Sequence, residues 1–372
     1  MRLLDRYLLR ELLIPFGYCL AGFVIFWLVF NLFGDLNQFQ KLYLKGPDVV
    51  EYYLVKLPEW LVFPIIPVAL LLALLYALTH HARHNELTAM RAAGISLTRL
   101  TTPYVALGFL MSLALLALNE LWVPQSADVA DQILVRRTTD PTRVQSREWE
   151  RPLAFENPRE WRLWMAEAYH LDTGEMIRPI LRWRLPDGAV RDITAERGRY
   201  EDGAWTFTNV TEFLHPPIPG AVPKRFETNW LALAELSETP EQIRNEIRIS
   251  RIKSTRDARK SQLSAKEIFD YLQHHPQSPN ETLLLTRLHG RLAAPWTCLV
   301  VVLIAIPFGA VSGRRNVYVG VASSVLICFA YFVALQLSLT LGSSGRVPPW
   351  AAAWAPNVIF GLGGLALTDR TK

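Results

Sequence analysis

Six long stretches without Asp, Glu, Lys or Arg constrain this chain more than any other feature of its 372 residues. Each stretch is 20 residues or longer, although charged residues make up 20% of the chain. A helix needs about 20 apolar residues to cross a hydrocarbon core, and backbone polar groups in lipid must be satisfied within the segment. The sequence therefore predicts six transmembrane helices, at Leu12–Gly34, Trp60–Thr79, Leu100–Asn119, Leu292–Gly313, Asn316–Gly345 and Val347–Thr368.

The first stretch has some features of a secretory signal, because Arg2, Arg6 and Arg10 precede it. Its apolar run is too long for a signal peptide, and Gly34-Asp35-Leu36 is a poor small-residue cleavage site. We therefore expect the first stretch to be retained as a membrane span.

The distribution of Lys and Arg predicts the orientation, because cytoplasmic loops are enriched in these residues. With the N-terminus inside, the short inner segments carry ten of them: Arg2, Arg6, Arg10, Arg83, Arg91, Arg99, Arg314, Arg315, Arg370 and Lys372. The short outer loops carry four: Lys41, Lys45, Lys56 and Arg346. Both termini are thus expected in the cytoplasm. Four tryptophans then fall at the outer interface, which suits their amphipathic rings: Trp60, Trp122, Trp350 and Trp354.

The predicted spans divide the chain into residues 1–123, with three spans, 124–283, which are largely polar, and 284–372, with three more spans. The central segment has the pattern of short strands. Leu181, Trp183 and Leu185 alternate with arginines, which is the period of a half-buried strand. Asp202-Gly203 is a hairpin signal followed by a second alternating run. These features predict an outer, all-β domain resembling a sandwich or jelly roll.

Two short helices are expected after the strands and before the fourth span. Pro240-Glu241-Gln242-Ile243 is typical of a helix start. Ser264 and Glu267 have the spacing of a capping box. This part of the chain is expected to lead back to the membrane.

The loop between the second and third spans, residues 85–96, predicts a short helix outside the membrane. Asn85 is a candidate N-cap, Glu86 suits the first turn, and Gly94 is a candidate C-cap. Leu87, Met90 and Gly94 share one face of this helix. One interpretation is a simple connection between spans. The other is a coupling helix whose apolar ridge, flanked by Glu86 and Arg91, docks into a partner and transmits force into the membrane.

Other classes of function find little support in the sequence. The three cysteines, Cys19, Cys298 and Cys328, lie within predicted spans and have no zinc-site spacing. His80 and His84 lack an evident third metal ligand, and no HExxH motif is present. The basic residues are scattered rather than clustered with aromatics, so a nucleic-acid partner is not expected. No catalytic residue, metal or cofactor is predicted.

Several segments resemble the LptF/LptG family of lipopolysaccharide-export permeases. Asn85–Ser96 resembles the coupling helix of that family and is the most specific signal. The other matching segments, in chain order, are Asp5–Arg10, Leu57-Pro58 with Pro64–Pro67, Arg291–Pro295 with Ala305–Gly309, Tyr331-Phe332, Gly345–Pro349 and Trp354–Asn357. The resemblance is weak in the central segment. It departs at Leu288–Arg291, where family members often carry an acidic residue and paired basic residues.

The resemblance implies a subunit of an ABC-type exporter in the bacterial inner membrane, with its large domain in the periplasm. The implied partners are a cytoplasmic ABC ATPase dimer, a paralogous permease subunit, a periplasmic jelly-roll bridge protein, lipopolysaccharide and membrane lipid. The ATPase-coupling residues would be Glu86, Leu87, Met90, Arg91 and Gly94. The chain has no Gly-Lys pair, hence no P-loop of the form GxxxxGK[ST], so a separate protein is expected to hydrolyse ATP.

Four basic residues near the outer membrane surface are candidates for contact with lipid phosphates. Lys41 and Lys45 would lie one helical turn apart if the first helix continued, and Arg136 and Arg137 follow the third span. Solvated loop residues are the competing interpretation. For the whole chain, the alternatives are an ABC permease for another lipid or a lipoprotein, a membrane enzyme, and a sensor or scaffold.

Overall fold

The computed structural model describes residues 3–135, 149–218, 222–250, 263–274, 280–309 and 317–370. The chain divides into two compact units. The helical unit comprises Met1–Leu134, Gln262–Ala265 and Thr282–Lys372, and the sheet unit comprises Val135–Ser261 and Lys266–Glu281. The sheet unit is therefore inserted between two helical halves.

The helical unit is built from helices that follow the charge-free stretches and their flanks. Their bounds are α1 Leu3–Lys41, α2 Gly46–Trp60, α3 Ile66–Arg83, α4 Glu86–Ala92, α5 Leu97–Leu121, α6 Val123–Val135, α9 Glu281–Ala293, α10 Thr297–Gly309, α11 Val317–Ser343 and α12 Pro349–Arg370. The remaining helices, α7 Pro240–Ser250 and α8 Ala265–His274, follow the strands. They begin where the two predicted helix starts are placed.

Within the described residues, six helices are long and apolar enough to cross a membrane. These spans one to six are Leu3–Lys41, Gly46–Arg83, Leu97–Leu121, Glu281–Gly309, Ala322–Ser343 and Pro349–Asp369. The prediction of six spans, three on each side of a β-rich insertion, is confirmed. Span one has 39 residues and a length of about 58 Å at 1.5 Å per residue, so it extends well beyond a bilayer core of roughly 30 Å.

Span two is interrupted between α2 and α3. A π-helical turn occupies Leu61–Ile65, and Phe63 within it has extended backbone angles, φ −156° and ψ 125°. Pro64 follows, and a proline inside a helix removes a hydrogen-bond donor and clashes with the preceding turn. The interruption is thus a consequence of the sequence rather than of packing alone.

Spans two and four form the centre of the helical unit. Their most apolar windows are 61% and 67% buried, whereas the window of span one is 11% buried. Leu70 and Leu74 of α3 and Val301 of α10 are completely enclosed. Helices in lipid associate through close van der Waals packing, so these two spans supply most of the packing contacts.

The described strands form one antiparallel sheet. Their bounds are β1 Trp149–Glu150, β2 Leu153–Asn157, β3 Arg162–Ala166, β4 Ala168–His170, β5 Met176–Ile177, β6 Ile180–Arg184, β7 Val190–Thr194, β8 Arg197–Glu201, β9 Ala204–His215 and β10 Lys224–Leu233. The order of strands is β1-β4-β5-β8-β9-β7-β6-β3-β2, and β10 also pairs with β9.

The strand signals in the sequence are confirmed in the sheet. Along β6, Leu181 and Trp183 are buried while their neighbours are exposed. Asp202 and Gly203 connect β8 to β9 with φ angles of 51° and 83°. Two consecutive residues with positive φ are the requirement of a tight type I′ hairpin turn, which explains the Asp-Gly pair.

An aromatic core fills the sheet unit. Trp164, Trp205 and Phe207 are almost completely buried in it, and Ile243 and Ile247 of α7 pack against the same core. Helix α7 is amphipathic, and its apolar face therefore packs on the sheet.

Candidate functional site

The short helix α4 lies between α3 and α5, as the sequence predicts. Asn85 occupies its N-cap position but has a left-handed backbone, φ 56° and ψ 17°, and its side chain makes no capping bond. The expectation that the Asn85 side chain caps the helix is therefore wrong. Asparagine tolerates the left-handed region better than most residues, so its role here is to turn the chain sharply from α3 into α4.

Gly94 ends α4 as expected. Its φ is +84°, and its N–H donates to the carbonyl of Arg91 over 3.0 Å. The N–H of Ile95 donates to the carbonyl of Met90 over 3.2 Å. These two bonds define a Schellman motif, in which glycine is favoured because it has no Cβ to strain the left-handed backbone.

One face of α4 packs on the chain itself. Leu87 is 2% exposed within the core of the helical unit, and Met90 and Ile95 pack against that core. The predicted apolar ridge of Leu87 and Met90 thus faces inward. Arg91 and Gly94 lie on the exposed part of the segment.

Glu86 joins α4 to two spans. Its Oε2 accepts a hydrogen bond from Tyr7 Oη at 2.9 Å and one from His81 Nδ1 at 2.7 Å. Burial alone would raise the pKa of the Glu86 carboxyl, but the bonds from His81 and Tyr7 and the nearby His80 outweigh it, so that its pKa lies below the ordinary value. Glu86 is therefore an anion held between α1 and α3.

A second polar contact lies beside the first. Arg99 Nη2 is 2.8 Å from Asp5 Oδ1 and donates to Asp5 Oδ2 over 3.1 Å. Arg99 is in the first turn of α5, and Asp5 is two residues before Tyr7 on α1. Hydrogen bonds thus connect the N-terminal end of α1 to both α4 and α5.

These features of the helical and sheet units agree with one family of membrane proteins. A family model described as the lipopolysaccharide export system permease LptF/LptG matches residues 6–370. The chain belongs to the LptF/LptG family. Its members are transporter subunits of the inner membrane rather than catalytic enzymes. The search of curated proteins finds no match.

Of the four basic residues predicted to contact lipid in this LptF/LptG chain, the structure describes Lys41 and Lys45. Helix α1 ends at Lys41 and α2 begins at Gly46, so the condition that one helix continues through Lys45 is not met. Both lysine side chains are exposed, and the N–H of Lys45 donates to Asp48 Oδ2 over 3.0 Å. Arg136 and Arg137 lie outside the described residues.

The fourth span departs from the LptF/LptG pattern at Leu288–Arg291, and the structure gives Arg291 a partner there. Its side chain is 6% exposed and pairs with Glu120 near the end of α5. The fourth span lacks the acidic residue in its own sequence at this point, and Glu120 of α5 supplies a carboxylate next to Arg291 instead. A pair separated by 171 residues leaves no local sequence signal.

A buried polar network joins spans four, five and six of the permease. Tyr331 Oη donates to Asn357 Oδ1 over 2.6 Å and is 2.9 Å from Thr297 Oγ1. Asn357 Nδ2 donates to the carbonyl of Ala293 over 2.8 Å. The 3-10 turn Ala294–Trp296, which contains Pro295, follows Ala293 directly. Two of the segments that resemble the family, at Tyr331 and Asn357, thus meet in space.

Sequence reasoning missed Tyr7 and His81. Tyr7 lies in the segment Asp5–Arg10 that resembles the family, whereas His81 lies just before the segment Asn85–Ser96, and neither has a motif of its own. No sequence signal could have found them, because the complete burial of His81 and its contact with Glu86 are properties of the folded chain.

Proposed function

We propose that this chain is the transmembrane permease subunit of an ABC-type exporter that extracts lipopolysaccharide from the inner membrane and passes it to a periplasmic bridge. The observation that carries the proposal is the family match over residues 6–370, together with six apolar helices and an inserted antiparallel sheet. A separate ATPase dimer powers the exporter. The alternative is a permease for another lipid or a lipoprotein.

The surface of α4 supports the proposal of an ATPase partner. The helix follows span two by two residues and is separated from span three by a tight glycine turn. A push on this surface therefore reaches two spans without a flexible linker. Arg91, which is exposed, and Glu86, which is held at the start of the helix, are the charged groups proposed to set the docking. Leu87 and Met90 hold the inner face of α4 against the core of the helical unit.

Uncovered apolar surface on α1 and α11 supports the proposal of a paralogous subunit. Phe26, Phe30 and Phe33 of α1 are more than half exposed, as are Leu326 and Phe329 of α11. In a bilayer such side chains contact either lipid or another helix. A second permease facing these helices would enclose a cavity between the two subunits.

The energetics of lipid transfer explain why an enclosed path and ATP are needed. Moving apolar chain into water costs about 0.8 kcal/mol per CH₂, so one acyl chain of a dozen carbons costs roughly 10 kcal/mol. A lipid with several chains therefore requires an apolar route at every stage. The proposed route is the cavity between the two subunits, followed by the interiors of the jelly rolls. The basic residues proposed to contact the phosphates of the lipid are Lys41, Lys45, Arg136 and Arg137.

The edge of β10 supports the proposal of a bridge protein. Among the described strands, β10 pairs only with β9, so its other edge offers unpaired backbone groups. Phe226 and Trp230 are exposed on the same strand. Addition of a strand from a similar sheet is a recurring mode of recognition at such an edge. This arrangement requires the sheet unit in the periplasm and both termini in the cytoplasm.

The proposal is tested by purifying the chain in detergent from cells that make lipopolysaccharide, and identifying bound proteins and lipids by mass spectrometry. The double variant Glu86→Ala/Arg91→Ala is compared with the wild type. Thr88→Ala, an exposed change on the same helix, is the matched control. We expect the wild type and the control to retain an ATPase, a sister permease and lipopolysaccharide, and the double variant to lose the ATPase.

Two outcomes contradict the proposal. Wild-type protein recovered without any ATPase would remove the transporter function and leave the six-span fold. Recovery of the ATPase with phospholipid or a lipoprotein in place of lipopolysaccharide would favour the alternative substrate.

A further inference from the structure

The middle of α1 is less buried than its two ends. The fully buried residues of this helix are Leu8, Leu12 and Phe16 near its N-terminal end, and Phe39 near its C-terminal end. Between Phe16 and Phe39, each described residue is at least partly exposed. Leu20, Phe23 and Trp27 in this stretch are partly buried against apolar clusters, so the two ends are the most completely enclosed parts of α1.

Two polar contacts connect the N-terminal end of α1 to α4 and α5. Tyr7 bonds to Glu86 of α4, and Asp5 bonds to Arg99 of α5. The Tyr7 ring also lies against the His81 ring, with centroids 5.6 Å apart. His81 is completely buried at the end of α3, so it is a fixed point against which Glu86 and Tyr7 are placed.

The chemistry of this contact favours one arrangement. The Glu86 carboxylate is an acceptor with no proton to donate, and both Tyr7 Oη and His81 Nδ1 reach the same oxygen, Oε2. A carboxylate that accepts two hydrogen bonds is strongly preferred to a neutral or displaced side chain. Loss of Tyr7 Oη removes the hydrogen bond from α1 to Glu86, and loss of His81 Nδ1 removes the one from α3.

We infer that Tyr7 and His81 are positioning residues that act through Glu86, so that a movement of α4 is carried into α1. The covalent chain already connects α4 to α3 and α5, whereas α1 is joined to α4 by this polar contact and by a shared apolar core that includes Leu8, Leu12 and Leu87. The inference rests on the proposed function, because it assigns to α1 the movement that a docked ATPase imposes on α4.

The contact itself is measured on the purified wild-type chain in nanodiscs, without any partner. Hydrogen–deuterium exchange of the amides in residues 86–95 reports how firmly α4 is held. We expect Tyr7→Phe, which removes one hydroxyl, to speed this exchange about threefold, and His81→Leu to speed it about tenfold. His81→Asn retains a donor at the position of Nδ1 and should restore exchange close to the wild-type rate. Thr88→Ala is the matched control.

Coupling through Glu86 is measured by combining the changes. In a Glu86→Ala background, Tyr7→Phe should cause little further change, because both substitutions remove the hydrogen bond between Tyr7 and Glu86. Effects that add in full would overturn the inference, and so would unchanged exchange in Tyr7→Phe. His81→Asn behaving like His81→Leu would also overturn it, since packing rather than donation would then be responsible.

The role in transport is measured with the ATPase added. We expect Tyr7→Phe to retain wild-type affinity for the ATPase and to lower the lipid released per ATP hydrolysed by about threefold. Weaker ATPase binding with an unchanged ratio of lipid to ATP would contradict a positioning role for Tyr7. Absence of ATPase binding by the wild-type chain would contradict the proposed function alone, because the exchange measurement does not involve the ATPase.

Discussion

Arg291 of α9 and Glu120 of α5 form an ion pair in which Nε donates to Oε1 over 3.0 Å. The same guanidinium donates to the backbone carbonyl of Asn119. In return, Asn119 Nδ2 donates to the carbonyl of Arg291 over 3.2 Å. Spans three and four, between which the sheet unit is inserted, are therefore joined by a reciprocal set of bonds close to the two insertion points.

Arg291→Ala should destabilise the helical unit by about 2 kcal/mol, because removing the buried guanidinium leaves the partly buried carboxylate of Glu120 without its charged partner. The measurement is the midpoint of thermal unfolding of the detergent-solubilised chain. Arg182→Ala is the matched control, since Arg182 forms an exposed pair with Asp192 and should cost less than about 1 kcal/mol. An equal decrease in the unfolding midpoint for the two variants would show that burial of the Arg291 pair does not add to stability.

Tyr331→Phe should destabilise the packing of spans four, five and six by about 1 kcal/mol. The change removes the hydroxyl that donates to Asn357 and leaves the ring in place, and interhelical hydrogen bonds in membrane proteins are of this size. Asn357→Ala should destabilise this packing further, since it also removes the hydrogen bond from Asn357 Nδ2 to the carbonyl of Ala293.

Resistance to unfolding by a denaturing detergent measures both of these changes. Thr340→Val is a suitable control, because its hydroxyl is exposed and bonds only within its own helix. A Tyr331→Phe chain as resistant as the wild type would mean that the network does not hold these spans together.

Local patterns predicted much of this fold, and long-range contacts account for what they missed. The lack of charge in each span and the Asp202-Gly203 turn are local properties, so the six helices and the β8–β9 hairpin could be predicted. The direction of the Leu87 side chain could not, because helical periodicity gives a face but not what covers it. The contact of Tyr7 with Glu86 spans 79 residues and depends on the packing of three helices.

Glu246 should make stability fall as pH rises. Burial raises its pKa from 4.5 to about 8, and it lines a cavity with Phe155, Ile243 and Tyr271. Its contribution is fully present below pH 4.5, where both folded and unfolded states are protonated. It is lost between about pH 4.5 and 8, because only the unfolded state releases the proton there. Allowing for its partial exposure, the loss should be about 2 kcal/mol.

The comparison for this prediction is Glu246→Gln in the full chain, with unfolding of the sheet unit followed from pH 5 to pH 8. The variant should lose less stability than the wild type across this range. Glu241→Gln, an exposed change on the same helix α7, should behave as the wild type does. If the stabilities of the wild type and Glu246→Gln fell in parallel with rising pH, the Glu246 carboxyl would be ruled out as the cause of the pH dependence.

Two adjacent glycines in span six should respond in opposite ways to alanine. A Cβ at Gly364 would lie 2.6 Å from the carbonyl oxygen of Leu303, a backbone atom that cannot rotate away, whereas a Cβ at Gly363 would meet nothing within 4 Å. Gly364→Ala should therefore push α12 away from α10 and cost about 1 to 3 kcal/mol, the usual range for overpacking. Gly363→Ala should be neutral or slightly stabilising, since alanine restricts the unfolded chain. Thermal unfolding of both variants in detergent measures the difference, and a Gly364→Ala chain as stable as Gly363→Ala would show that spans four and six do not depend on this close approach.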